Sequence, residues 1–143
     1  MASLKSKLHA VEIAKSLLYQ PYIWGGNDPM DGFDCSGLII EILKSVGKLD
    51  REGDWTADDL SKILPESDSV SIGSLLFYDW SLNGRMEHVE FVLDVLEDGT
   101  VLTIGASGGD STVNNIADAM RKNAYVKMRP ARPNHAKVCD PFK

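Results

Sequence analysis

The stretch Pro21–Val46, PYIWGGNDPMDGFDCSGLIIEILKSV, decides how the rest of the chain is read. Leu38, Ile39, Ile42, Leu43 and Val46 recur at the spacing of three and four that lines one face of a helix. Asp34 stands at the N-cap position and Gly47 at the C-cap, so the helix is predicted from Cys35 to about Val46. A thiol therefore falls on the first turn. Unsatisfied N–H groups and the positive end of the helix dipole meet there, and both favour thiolate over thiol. The thiolate is the nucleophile. A cysteine so placed needs a base from elsewhere in the chain.

On the N-terminal side, residues 4–18 read as an amphipathic helix carrying Leu4, Leu8, Val11, Ile13, Leu17 and Leu18, ended by Pro21. Gly-Gly, Asp-Pro and Asp-Gly punctuate the loop from Gly25 to Asp34. On the C-terminal side, Thr56 is predicted to cap a short helix, Ala57–Leu64, closed by Pro65. The pattern then changes. Leu75–Trp80, His88–Leu96 and Thr100–Ile104 are short runs rich in Val, Leu, Phe and Tyr, separated by the hairpin signals Asn83-Gly84 and Asp98-Gly99. A helix starting at Thr112 or Asn114 and a strand at Tyr125–Arg129 follow, and the tail from Pro130 shows three prolines and little pattern. Helices first and an antiparallel meander afterwards predict an α+β fold in a single domain, residues 1–143.

Composition narrows the function classes. With 43% apolar and 25% charged residues the chain reads as globular, not disordered or fibrous. A formal charge of −6, from 21 acidic and 15 basic residues, argues against nucleic acid as a partner. The longest apolar runs are too short to span a bilayer, and the first eighteen residues lack the uninterrupted apolar core of a secretory signal. Synthesis in the cytoplasm is the expectation, with release by something other than its own leader if the protein acts outside the cell that makes it. The two cysteines, Cys35 and Cys139, form neither a disulfide framework nor a closely spaced zinc pair. No metal is expected.

Of the three histidines, His9 lies among lysines and His135 in the proline-containing tail, and both read as solvated. His88 opens the strand HVEFVLDV just after the Asn83-Gly84 turn. A strand end beside a helix N-terminus suits the base of a Cys-His pair, and such partners meet in space rather than in sequence.

Taken in order, PYIWGG, FDCSGLI, SIGSLLFYDW, EHVEFVLDV and VLTIGASGG resemble the NlpC-type cell-wall peptidases, papain-like cysteine peptidases of bacteria and their phages. The resemblance runs from about Leu8 to Ile104. It implies a papain-like core with N-terminal helices packed on an antiparallel sheet, Cys35 as nucleophile and His88 as general base. It implies that Tyr22 lines the cleft and offers its hydroxyl to the developing oxyanion. It implies too that Asp34 and Ser36 help hold the free amine of a stem peptide, with Asp34 also a helix cap. Glu87 stands before the histidine where members specific for that amine commonly carry Ser. Trp24, beside Gly-Gly, is expected as a packing residue under the loop. The family's third polar residue, usually a His on the next strand, aligns with Gly105, leaving Thr103 or Ser107, a backbone carbonyl or a water to orient His88.

The activity so implied is hydrolysis of an amide in peptidoglycan stem peptides, after γ-D-glutamate, through a thioester and without a cofactor. A monomer is expected, and a phage lysin or tail-associated hydrolase fits the missing leader. Two other readings stand beside it: a non-catalytic wall-peptide-binding module, favoured by Gly105, and an amidase or acyl transferase on a non-wall substrate, favoured by Glu87.

Overall fold

The computed structural model describes residues 2–28 and 32–143, so the Asp-Pro and Asp-Gly turns of the first loop lie partly outside the described residues. Helix α1 (Ala2–Ser16) leads into a two-stranded ribbon, β1 (Asn27–Asp28) with β2 (Gly32–Phe33), and then α2 (Cys35–Ser45) and α3 (Ala57–Ile63). Strands β3 (Leu75–Tyr78), β4 (His88–Val95) and β5 (Val101–Ser107) form the meander. Helix α4 (Ile116–Lys122), β6 (Tyr125–Pro130) and β7 (Lys137–Cys139) complete the chain. The sheet has the order β6-β5-β4-β3-β7, antiparallel throughout. No described helix is long and apolar enough to cross a membrane.

The start of α2 is fixed by three acceptor contacts of Asp34. Its Oδ1 accepts from the Gly37 N–H at 2.7 Å and from the Ser36 hydroxyl at 3.2 Å, while Oδ2 accepts from the Gly25 N–H at 3.1 Å. The carboxylate thus ties the helix cap to the preceding loop. Gly37 completes the join, since a Cβ there would stand 1.8 Å from the Gly26 carbonyl oxygen. Downstream, Leu38, Ile39, Ile42 and Leu43 are buried against β4 and β5. Thr56 caps α3 with a reciprocal bond to Asp59, and the last turn of α2 is followed by Gly47 at φ +75°.

Residues paired across antiparallel strands share a face. Leu75 with Phe91 and Phe77 with Val89 point toward the helices and form the main core. Leu76 with Glu90 and Tyr78 with His88 occupy the other face, where Val92 and Val138 are also buried.

Two expectations are corrected. The fourth helix begins at Ile116, because Asp110 holds Thr112 in a turn and Asn115 supplies the cap by accepting from the Asp118 N–H. The tail is not patternless: Lys137–Cys139 adds an edge strand to β3, with the prolines flanking it where no ladder N–H is needed.

Candidate active site

One end of the sheet gathers the candidate residues. Cys35 opens α2, and its Sγ lies 3.8 Å from the carbonyl oxygen of Glu87, the residue before His88. Both Cys35 and His88 line a cleft of about 730 Å³, together with Tyr22, Trp24, Trp80 and Arg132. That volume is of the size that holds small-molecule or peptide ligands.

Burial pushes the Cys35 thiol from its ordinary 9.0 up to about 12, with the Asp34 charge adding to the effect. Burial thus works against the helix N-terminus, which favours thiolate. A helix terminus supplies about 0.3–1 kcal/mol, less than one pKa unit, whereas burial moves such groups by several. The thiol hydrogen also has an acceptor within reach, the Glu87 carbonyl.

His88 is 4% exposed. The Trp80 ring stacks on it at 5.0 Å and 18°, and Tyr78 lies 5.9 Å away on a tilted plane. Burial lowers the imidazole below its ordinary value against the opposing pull of Glu90, so the ring is neutral and able to accept a proton at neutral pH. Tyr22, buried over the same cleft, is raised chiefly by desolvation, then by Cys35 and Asp34, and keeps its phenolic hydrogen as a donor.

The other sequence-derived residues divide. Asp34 and Ser36 line the cleft beside Cys35, and the carboxyl of Asp34 is raised by burial although three hydrogen bonds pull the other way. The Glu87 carboxylate is committed to Ser81, accepting from its N–H at 2.7 Å and its hydroxyl at 3.1 Å. Thr103 donates to the Arg129 carbonyl at 3.2 Å, across to β6, and so does not serve His88. Ser107 lies in the cleft wall at the end of β5. Trp24 is half exposed on the cleft rather than packed beneath its loop. His9 and His135 are exposed.

Three residues escaped the sequence reading. Glu90 Oε2 stands 3.5 Å from His88 Nε2, and Arg132 Nη1 donates to the same oxygen at 2.7 Å while lying 3.2 Å from Nε2. Burial works against the charge on Glu90, but His88, Arg132 and Tyr78 outweigh it and hold the carboxyl below its usual range. Trp80 is the third. The alternation of β4 was the available signal for Glu90, which shares a strand face with His88. Nothing local pointed to Arg132.

A thiol on a helix N-terminus and an imidazole at the start of an antiparallel strand line one cleft, on a fold of papain-like build. The comparisons narrow that class: the model of the NlpC/P60 family matches residues 19–130, and the chain belongs to that family. Among curated proteins it is 26% identical over 128 residues to murein DD-endopeptidase MepH of Escherichia coli, covering 84% of this chain and 45% of that one. It is 32% identical over 66 residues to the bifunctional muramidase/DL-endopeptidase CwlT of Bacillus subtilis, covering 46% of this chain and 20% of that one. The chain spans about half the length of the curated relatives that it matches over most of its own. The fold superimposes on the P60 domain of a Mycobacterium avium subspecies paratuberculosis antigen with TM-score 0.72, at 21% identity, covering 100% of this chain and 99% of that one.

Proposed function

We propose that the chain is a cysteine endopeptidase of peptidoglycan stem peptides that cuts after γ-D-glutamate. The observation that carries this is the placement of Cys35 and His88 in one cleft on an NlpC/P60 fold, among relatives named as peptidoglycan endopeptidases. His88 takes the thiol proton as Cys35 Sγ attacks the scissile carbonyl carbon. The Tyr22 hydroxyl donates to the oxygen on which charge develops. The tetrahedral intermediate expels the amine, which leaves with the proton from His88, and water then hydrolyses the thioester.

The cleft also supports an amine-bearing substrate. Its described lining carries the carboxylates of Asp34, Asp54, Asp59, Glu87 and Asp110 against the guanidiniums of Arg85 and Arg132. A stem peptide with a free N-terminal amine matches that surplus. The relatives' names differ over the bond, DD for MepH and DL for CwlT, so the products must decide it.

The test is incubation of the protein and its Cys35→Ala variant with purified stem peptides, monomeric and cross-linked, with products read by mass spectrometry. Cys35-dependent release of a fragment ending in γ-D-glutamate is the expected result. Cleavage only at cross-links would replace the bond, and absence of cleavage by the active thiol would sink the substrate. The binding-module reading rested on the missing side chain at Gly105; the carboxylate of Glu90 beside that position supports the catalytic reading over it.

A further inference from the structure

We infer that Glu90, held by Arg132, is the positioning residue of His88, and that it fills from β4 the space a side chain at position 105 would fill from β5. The inference rests on the Cys35–His88 reading but not on the identity of the substrate.

Four observations carry it. His88 and Glu90 are two residues apart on one strand and therefore share a face. One step beyond the Phe91–Ile104 pair, Gly105 lies beside Glu90 on β5, and a Cβ at Gly105 would meet Glu90 Cγ at 3.5 Å, an ordinary contact distance. The two positions thus open onto the same space. Glu90 is 1% exposed, and a buried carboxylate is costly without partners. Its Oε2 has two, His88 Nε2 at 3.5 Å and Arg132 Nη1 at 2.7 Å, whereas Oε1 has no hydrogen-bond partner among the described residues, the nearby Tyr78 hydroxyl donating to the Arg132 carbonyl. A carboxylate retained in the core with one oxygen unsatisfied is poor packing, and its use lies in what the other oxygen does.

That use is the tautomer of His88. The contacts to Glu90 and Arg132 both fall on Nε2, which leaves Nδ1 to receive the thiol proton. Nδ1 can do so only if the ring hydrogen sits on Nε2. Arg132 alone would donate to Nε2 and drive that hydrogen to Nδ1, disabling the base. The Glu90 carboxylate opposes this: it accepts from Arg132 at 2.7 Å, stands 3.5 Å from Nε2 as an acceptor for a hydrogen there, and faces the positive ring once the proton has moved. Arg132 in turn keeps Glu90 ionised. The charged and titratable groups facing the ring are thus Glu90, Arg132, the more distant Arg129, and Tyr78.

The test needs no substrate. Iodoacetamide alkylation of Cys35 is followed by peptide mass across the pH range in which histidine and thiol titrate, for the full chain and for Glu90→Gln, Glu90→Ala and Glu90→Ala/Gly105→His. Glu90→Gln keeps the shape and an acceptor oxygen but no charge, so it holds Nε2–H against Arg132 more weakly and cannot balance an imidazolium. It should slow alkylation at neutral pH on the order of 10- to 100-fold, up to the lower end of the range assigned to a positioned base, with its melting curve little changed. Histidine at position 105 should restore part of the rate lost in Glu90→Ala, because it enters the same space. A Glu90→Gln profile that overlays the wild type overturns the inference. So does a rate loss that merely tracks unfolding, or a double variant no faster than Glu90→Ala. A wild-type Cys35 rate with no limb in the histidine range would remove the thiol–imidazole pair itself, and the inference with it. Normal alkylation without stem-peptide cleavage would leave the inference standing and sink only the substrate.

Discussion

Replacing Gly37 with alanine tests whether the catalytic helix is locked to the loop before it by close contact. The new Cβ would stand 1.8 Å from the Gly26 carbonyl oxygen and 2.9 Å from Asp34 Oδ1. Reaching the lower edge of ordinary contact, 3.4 Å, requires the helix start and the loop to part by about 1.6 Å. The Gly26 carbonyl accepts from the Asp34 N–H at 3.0 Å, and a shift of that size breaks the bond. It also strains the bond from the Gly25 N–H to Asp34 Oδ2 and the cap on Gly37. At about 1 kcal/mol for the broken hydrogen bond, about 1 kcal/mol for the strained bond and cap together, and about 1–3 kcal/mol for overpacking, the loss is roughly 3–5 kcal/mol. Alanine's better helix propensity offsets about 1 kcal/mol. The net of roughly 2–4 kcal/mol corresponds to a fall in Tm of roughly 10 °C for a chain of this size. Thermal unfolding followed by circular dichroism measures it, with Gly25→Ala as the control. Gly25 has φ +74° and nothing within 4 Å of a Cβ, so alanine there incurs only conformational strain, about 1–2 kcal/mol. Alkylation of Cys35 should fall in Gly37→Ala beyond the loss of folded protein, because the thiol rides on the displaced turn. A Gly37→Ala protein no less stable than Gly25→Ala would refute the reasoning.

Trp80→Ala removes the ring stacked on His88 and so weakens the burial that lowers the imidazole. The acid limb of the Cys35 rate should move to higher pH, read by the alkylation profile and by histidine NMR titration. Linkage gives the stability sign: a lowered folded pKa means that the unfolded chain binds the proton more readily, so this contribution is present above the ordinary histidine value and is lost as pH falls through the folded one. Trp80→Ala should flatten that dependence in melting experiments, and unchanged profiles would show that Trp80 does not shield the ring. Cys139→Ser, in contrast, should leave cleavage and Cys35 alkylation unchanged. Cys139 is buried with Sγ 3.8 Å from the Ser61 carbonyl and lies outside the cleft lining, so exchanging thiol for hydroxyl should alter stability by only about 1 kcal/mol.

The helix that carries the thiol was legible because its signals are local and agree: apolar spacing, a capping carboxylate at Asp34 and a glycine after the last turn. The meander was legible for the same reason, with alternation and turn glycines in register. Strand β7 was not. Three residues, Lys137–Cys139, are too short for a period, and their pairing with β3 is a contact across more than sixty residues of chain. The opposing pull of burial on Cys35 was not legible, because the helix dipole is visible in sequence whereas desolvation depends on what the fold lays over the thiol.

The third group of the site shows most clearly where local reading stops. In HVEFVLDV the residues Val89, Phe91 and Leu93 form the apolar face, and simple alternation sends His88 and Glu90 to solvent. They are buried because the segment after β6 folds back across that face, where Tyr78 donates to the Arg132 carbonyl at 2.8 Å and the Arg132 guanidinium reaches Glu90. No pattern within β4 announces that cover, since it arrives from more than forty residues away. Period two nevertheless narrows the search: a side chain of the sheet that reaches a strand-borne histidine stands at i ± 2 on its own strand, beside those positions on the next, or directly opposite, where Tyr78 already donates to the Arg132 carbonyl. Gly105 closes the second route for a side chain, and Glu90 is the only group on β4 that satisfies the first with a charge.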